Sequence, residues 1–334
     1  MAAICLKDAG LADAADRAFR SLTKDHPTYF TGWSLYGVAL KNAGRFEEAV
    51  AALRQALAVQ DHIETRNTLV VSLYKAGRLD EAIEEGRRNL TLKDHKAVEQ
   101  FRARSAPAPQ LGPMGAPFST ETRKRNIISF SLWGDNPIYV RGAIINARIA
   151  PHIYLGWTAR FYCDSSVPSD AIRDIKAEGA QVVMVDDPEL MRIRPMWRFL
   201  VSDDPDVDWF ICRDADSRLN CQELLAVEDW LRSGQPFHVM RDHIYHMELI
   251  LAGMWGGAAG VLPNLRALLV ANNQYFDNRF GDQAFLMDEI WPIIRNHTLV
   301  HDTYYRFNGA RDFPDAYRLP RPVHVGGAVK VMNE

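Results

Sequence analysis

The sequence predicts two unlike parts: an all-α helical-repeat domain over residues 1–104 and an α/β domain over 123–334, a mainly parallel sheet flanked by helices, joined by a Pro/Gly-rich linker at 105–122. Three observations predict this. A segment of helical period recurs within the first hundred residues, a proline-dense span then interrupts it, and beyond that span short apolar runs alternate with helical segments. A chain of 334 residues corresponds to about two domains of roughly 150 residues, enough to bury a core in each.

Taken in order, Leu40 to Val50 reads LKNAGRFEEAV and Leu73 to Ile83 reads LYKAGRLDEAI, 33 positions on, with a weaker copy, KDAGLADAADRAF, from Lys7. Each copy sets a Gly turn between Ala- and Leu-rich segments of helical period. The pattern resembles the tetratricopeptide repeat, whose period is about 34 residues. On that resemblance Trp33, Gly37, Leu40, Ala49, Leu53 and Ala56 are helix-packing positions, repeated by Leu69, Leu73 and Ala82, with Arg66 in place of the large residue at Trp33. Stacked pairs of this kind leave a concave surface that commonly holds a peptide, so a protein partner is expected there. The aromatics Tyr29, Trp33, Tyr36 and Tyr74 are expected to pack within the repeats.

Ser105 to Glu121 reads SAPAPQLGPMGAPFSTE, and its four prolines and two glycines cannot continue a helix. Past this linker, Asn126 to Leu132, Ala159 to Cys163, Gln181 to Val185 and Trp209 to Cys212 read as strands, with helices near Tyr139 to Ala150, Ser169 to Glu178 and Met196 to Ser202. The last of these strands runs into Arg213-Asp214-Ala215-Asp216. Residues two apart on an extended chain share a side, so Asp214 and Asp216 face one ligand from the strand's carboxyl end, where open α/β sheets bind ligands. Two neighbouring carboxylates repel, and a shared proton or a hard cation relieves them. The same D-x-D spacing occurs at Asp204-Pro-Asp206 and Asp206-Val-Asp208, in a Pro-containing loop; the apolar strand before Asp214 is what separates the third copy from these. Divalent metal plus phosphate is the expectation, and an acidic turn capping the next segment is the alternative. No G-x-G-x-x-G follows the first strand and no G-x-x-x-x-G-K-[ST] occurs, so neither dinucleotide nor phosphate-loop binding is supported.

His324-Val325-Gly326-Gly327-Ala328-Val329-Lys330 has the form H-x-x-G-x-x-K: a metal-ligand type, a Gly permitting close backbone approach, and a cation placed for a diphosphate. Beside the acidic pair, this segment makes the chain resemble a GT-A-fold glycosyltransferase, most of all the retaining family that contains glycogenin and bacterial lipopolysaccharide galactosyltransferases. The resemblance implies Mn²⁺, or Mg²⁺, held by Asp214, Asp216 and His324 against the diphosphate of a nucleotide-sugar, UDP-linked, with Gly327 and Lys330 at the diphosphate. It further implies that Arg198, in Met196-Trp197-Arg198-Phe199, contacts the nucleotide-sugar as the Arg of the family's Y-x-R-L helix does. Asp135, Asn136 and Tyr139 are the loose counterpart of its D-D-N-Y loop at the base. Asp282 and Gln283 echo its D-Q-D segment near sugar and acceptor. The chain departs from the family where Ala284 stands for the second acid, where Val331 and Met332 replace P-W, and where Met254-Trp255-Gly256-Gly257 replaces an Asn-x-Gly segment. The implied activity is sugar transfer to a glycan or protein acceptor, with retention of configuration implied by the resemblance alone.

Composition sets the limits. Hydrophobic content of 47%, charged content of 24% and net charge −3 give no nucleic-acid signal. No run approaches the roughly 18 apolar residues of a membrane span, and Lys7 and Asp8 stand where a secretory signal would be apolar. Four cysteines, Cys5, Cys163, Cys212 and Cys221, form no C-x-x-C pair, so buried free thiols and a cytoplasmic setting are expected. Simpler roles compete at single positions: Arg198 pairing with the acidic loop Asp203 to Asp208, Asp282 as N-cap of a helix from Gln283 to Ile290, His243 and His246 as cleft or capping residues, and Gly253, Gly256 and Gly257 as packing glycines. Two other functions compete overall. One is a sugar-phosphate nucleotidyltransferase, whose Gly- and Arg-rich loop is missing from Ser131 to Asn136; the other is a non-catalytic repeat scaffold with an inactive α/β domain.

Overall fold

A computed structural model describes residues 12–104, 109–276, 278 and 280–329. Cys5, the Lys7 start of the weaker repeat copy, the first residues of the linker and Lys330 lie outside the described residues. The chain forms two compact units, Met1–Lys93 with Ile244–Met247, and Asp94–His243 with Glu248–Glu334.

In the first unit, helices α1 (Ala12–Asp25), α2 (Phe30–Asn42), α3 (Phe46–Val59), α4 (Ile63–Lys75) and α5 (Leu79–Arg102) follow one another; the end of α5 belongs to the second unit. Gly44 and Gly77 take φ of +75° and +79° at the α2/α3 and α4/α5 turns, the left-handed conformation that glycine adopts without steric cost. Gly37 lets α2 approach α3, since a Cβ there would lie 2.5 Å from Leu53 Cγ. Leu53, Ala56, Leu69, Leu73 and Ala82 are fully buried, as their repeat positions predict. Arg66, buried where the first repeat has Trp33, is neutralised by ion pairs with Glu85 and with Asp61 at 2.6 Å. The aromatics divide: Tyr36 is buried and stacks on Phe19, whereas Tyr29 is exposed.

The second unit holds a sheet of seven strands among the described residues, ordered β3-β2-β1-β4-β6-β5-β7. They are β1 (Asn126–Leu132), β2 (Thr158–Cys163), β3 (Gln181–Met184), β4 (Trp209–Cys212), β5 (Phe237–Arg241), β6 (Trp255–Ala258) and β7 (Thr298–Asp302). Every pairing is parallel except those of β6, which runs against both β4 and β5. Helices α6 (Pro137–Ile153), α7 (Ser169–Ala177), α8 (Cys221–Ser233), α9 (Leu265–Ala271), α10 (Gly281–Phe285) and α11 (Trp291–Ile294) connect them. β1 is buried along its whole length, and Phe130 stacks on Phe161 of β2 at 4.7 Å.

Two predicted helices take another form. Met196 to Ser202 lies within 3-10 turns spanning Arg194–Asp203, and the helix expected from Gln283 to Ile290 becomes α10 followed by a π turn at Leu286–Ile290. Pro292 has no amide to donate within this stretch, and the Asp288 carbonyl accepts from Arg104 Nη2 at 3.3 Å. The chain fills one side of β1 with β2 and β3, then returns to place β4 on the other side. Strand order therefore reverses between β1 and β4, and the carboxyl ends of strands at such a reversal are where open α/β sheets bind ligands.

Candidate functional site

Asp214 and Asp216 leave the carboxyl end of β4 at this reversal, and the loop that carries them is fixed from behind. Asn146 of α6 donates through Nδ2 to the Ala215 and Ser217 carbonyls at 3.4 and 2.9 Å and accepts from Leu219 N at 3.2 Å. Gly142, one turn earlier, lets α6 close on the loop, because a Cβ there would lie 2.1 Å from the Ala215 oxygen. Ser217 Oγ donates to the Asp214 carbonyl at 2.9 Å. A backbone held by so many donors presents both carboxylates in fixed directions. Sequence reading missed Asn146, although a polar residue among Gly142, Ala143, Ala147 and Ala150 on one apolar face of α6 was its signal.

Arg198 joins the two acidic motifs. Its guanidinium pairs with Asp214 and, through Nη2, with Asp282 Oδ2 at 3.0 Å, while its Nε is buried without a partner. Two serines of β1 hold its backbone: Arg198 N donates to Ser131 Oγ at 2.9 Å and Ser129 Oγ donates to the Arg198 carbonyl at 2.8 Å. The simpler role for Arg198 is thereby overturned, since the acidic loop has partners of its own: Asp204 pairs with Arg160, Asp208 with Arg125, and Asp203 accepts from the first amides of α9. Asp282 lies inside α10, its Oδ1 accepting from Gln283 N at 2.8 Å, and is not that helix's N-cap. Gln283 is half-buried beside it.

Burial pushes the Asp216 carboxyl above its ordinary value, and the charge of Asp214 adds to that. Asp282 is likewise raised by burial, with Arg198 opposing and Asp214 adding. A cation near Asp214 and Asp216 would relieve this repulsion, so the donor set fits a hard divalent ion. Gly253 leaves room on the other flank, where a Cβ would stand 2.0 Å from Asp214 Oδ2. Gly256 serves close packing in β6, 2.4 Å from the Phe210 oxygen by the same measure.

The C-terminal segment reaches this loop through its backbone, with Val329 N donating to the Asp216 carbonyl at 2.8 Å. Buried Asp242 fastens the segment: its carboxylate accepts from Val325 N, Arg321 Nη2, Gln222 Nε2 and Thr303 Oγ1 at 2.7–3.0 Å. His324 donates Nδ1–H to the Pro322 carbonyl at 3.1 Å, and its ring stacks on His243 at 4.2 Å. Among the described residues no group of three or more His, Cys, Asp and Glu side chains is gathered closely enough to hold a metal. Gly327 closes a turn, its amide donating to the His324 carbonyl at 3.1 Å. Lys330 lies outside the described residues. In the β1 loop, Gly134 takes φ +71°, Asn136 caps α6 by accepting from Ile138 N, and Asp135 and Tyr139 are exposed.

No protein-family model matches this chain, and no curated protein matches it. Among solved structures it is similar to a double mutant of MamA from RS-1, at 18% identity and TM-score 0.25, over 30% of this chain and 61% of that one. It is also similar to a mutant of the Thermobaculum terrenum O-GlcNAc transferase, at 16% identity and TM-score 0.25, over 55% of this chain and 40% of that one. The chain thus spans about three fifths of the first and two fifths of the second. No helix among the described residues is long and apolar enough to cross a membrane.

Proposed function

We propose that this chain is a metal-dependent glycosyltransferase that takes a sugar from a nucleotide-sugar, UDP-linked, and passes it to a glycan or protein acceptor. One observation carries the reading: Asp214, Asp216, Arg198 and Asp282 converge where the strand order reverses, on a loop that Asn146 and Val329 hold from two sides. A bound Mn²⁺ or Mg²⁺ would neutralise charge on the leaving diphosphate. Asp214 and Asp216 are the residues that would hold it. Arg198, kept fully charged because Asp214 and Asp282 outweigh its burial, orients Asp214 and offers positive potential where charge grows as the glycosidic bond breaks. The segment after His324 meets the same loop through the Val329 amide and would cover the diphosphate, with Lys330 adding a cation.

The repeat unit is proposed to select the acceptor or a protein partner through its concave face. A sugar-phosphate nucleotidyltransferase is disfavoured by the short Gly134-Asp135-Asn136 loop, which holds no arginine. Calorimetry with UDP in the presence and absence of Mn²⁺ tests the central reading. The expected result is UDP binding at least tenfold tighter with Mn²⁺, lost in Asp214→Asn. Equal affinity under both conditions would remove the metal, and no binding to any nucleotide would remove the donor.

A further inference from the structure

We propose that Arg198 is a resident counter-ion that keeps Asp214 and Asp216 from holding a divalent cation until a diphosphate binds with it. The role deepens the metal-dependent reading of the site and rests on it. Asp214 is not a bare carboxylate. Arg198 Nη1 pairs with its Oδ1, while Oδ2 accepts no hydrogen bond from the described residues. The arginine is also held where it stands. Ser131 Oγ accepts from its amide at 2.9 Å, Ser129 Oγ donates to its carbonyl at 2.8 Å, and its side chain is only 6% exposed. Its second branch, Nη2, meets Asp282 Oδ2 at 3.0 Å, and leaving would strand a carboxylate that is 11% exposed. Removing one partner of a buried pair is the costly case, so the guanidinium stays.

A cation that reaches Asp214 and Asp216 therefore meets a carboxylate already shared with a fixed positive charge. Two positive groups on one carboxylate repel, and the affinity of an oxygen site for a hard cation follows the charge of its ligands. The guanidinium offsets one of the two negative charges that the pair supplies, which makes the protein alone a weak site. A small hard cation that keeps much of its water is held by one or two carboxylates together with substrate phosphates. A diphosphate supplies those oxygens and brings negative charge to the cation and the guanidinium alike. Metal and diphosphate then strengthen each other by one common factor, because coupling of this kind is reciprocal. Arg198 thus gives the site affinity for the pair of ligands in place of affinity for the ion.

Water-proton relaxation on the full chain reads protein-bound Mn²⁺ and tests this with the ion alone, with UDP and with inorganic diphosphate. Wild type is expected to hold Mn²⁺ about tenfold tighter with UDP than without it. Arg198→Gln should tighten the ion alone by about fivefold and loosen UDP in its presence, so the coupling shrinks from both ends. A merely structural role for Arg198 predicts that both weaken. Asp282→Asn keeps the guanidinium on Asp214 and should leave the ion alone no tighter than in wild type. Where Arg198→Gln folds poorly because Asp282 is stranded, the same substitution is made in the Asp282→Asn background, which leaves no unpaired Asp282 carboxylate, and it should again tighten Mn²⁺. An ion no tighter in either background overturns the proposal. Wild type holding Mn²⁺ equally well with and without either anion also overturns it, leaving the metal site in place and removing Arg198 from its control. Mn²⁺ tightened by inorganic diphosphate and by no nucleotide would support the counter-ion role while removing the nucleotide-sugar donor.

Discussion

Arg213 and Asp214 are adjacent at the end of β4, and their ion pairs face opposite ways. Arg213 turns inward to Glu223, with side-chain exposures of 1% and 2%, and Tyr154 donates its hydroxyl to the same Glu223 oxygen at 2.8 Å. Asp214 turns outward, 42% exposed, to an arginine that is itself 6% exposed. Each arginine leaves one nitrogen without a partner, Nη2 in Arg213 and Nε in Arg198. The chemistry is the same and the exposure differs. Successive residues of an extended chain alternate sides, so one strand end can anchor its loop below and address a ligand above. The inner pair fixes where the outer carboxylates stand, and only the outer pair has an open carboxylate to offer a cation.

That contrast breaks most visibly through the inner pair. Arg213→Met leaves Glu223 buried without its counter-charge and should cost about 3–5 kcal/mol, the usual penalty for removing one partner of a buried pair. Urea denaturation at neutral pH measures it. Burial already pushes the Glu223 carboxyl up against the pull of Arg213, so protonation of Glu223 should return part of the loss as pH falls. Adding Glu223→Leu should recover part of it at neutral pH. A cost below about 1 kcal/mol would mean that the inner pair does not anchor the loop.

A smaller effect sharpens the link between the two faces. Asn146→Ala strips the Ala215 and Ser217 carbonyls and the Leu219 amide of their side-chain partner. Unfolding should become easier by about 1–3 kcal/mol, and Mn²⁺-dependent UDP affinity should drop although Asn146 touches no ligand group. Lost stability with unchanged affinity would show that the loop keeps its geometry unaided.

How far the sequence reaches follows the same division. Strands β1 and β4 were legible because each is a continuous apolar run closed by turn residues, and the repeat hairpins because Gly44 and Gly77 recur at a fixed offset. Strand β6, Trp255-Gly256-Gly257-Ala258, was not, since its glycines are chosen by the closeness of Phe210 and Phe237 and carry no strand propensity. The short strands β5 and β7 went unread as well: each mixes buried polar residues, His238 and Arg241 in one, His301 and Asp302 in the other, whose partners lie far along the chain. At the site, Asp214 and Asp216 were visible from local context. The pairing of Arg198 with Asp282, the clamp by Asn146 and the tether at Asp242 are tertiary and leave no local pattern. Nor does the H-x-x-G-x-x-K motif foretell that the His324 ring stacks on His243 or that Val329 N meets the Asp216 carbonyl.

The smallest expected change is also the one that separates the two readings of the acidic pair. Burial and the charge of Asp214 raise the Asp216 carboxyl above its ordinary value of 3.8, so the folded chain holds that proton more tightly than the unfolded chain does. The stabilising contribution of Asp216 is therefore complete below that unfolded value and is lost as pH rises through the folded one. At neutral pH the ionised carboxylate is a cost to the fold. Asp216→Asn removes the charge and should raise the melting temperature at pH 7 by about 1–3 °C, a gain that disappears when both forms are compared below about pH 3.8. The same substitution should weaken Mn²⁺-dependent UDP binding at least tenfold, because a carboxamide is a poor ligand for a hard cation. Stability and binding moving in opposite directions is what a carboxylate kept for a cation predicts. An acid kept to cap a turn predicts the reverse, a loss of stability with no change in binding, and a melting temperature below wild type at pH 7 with intact UDP affinity would return Asp216 to that role.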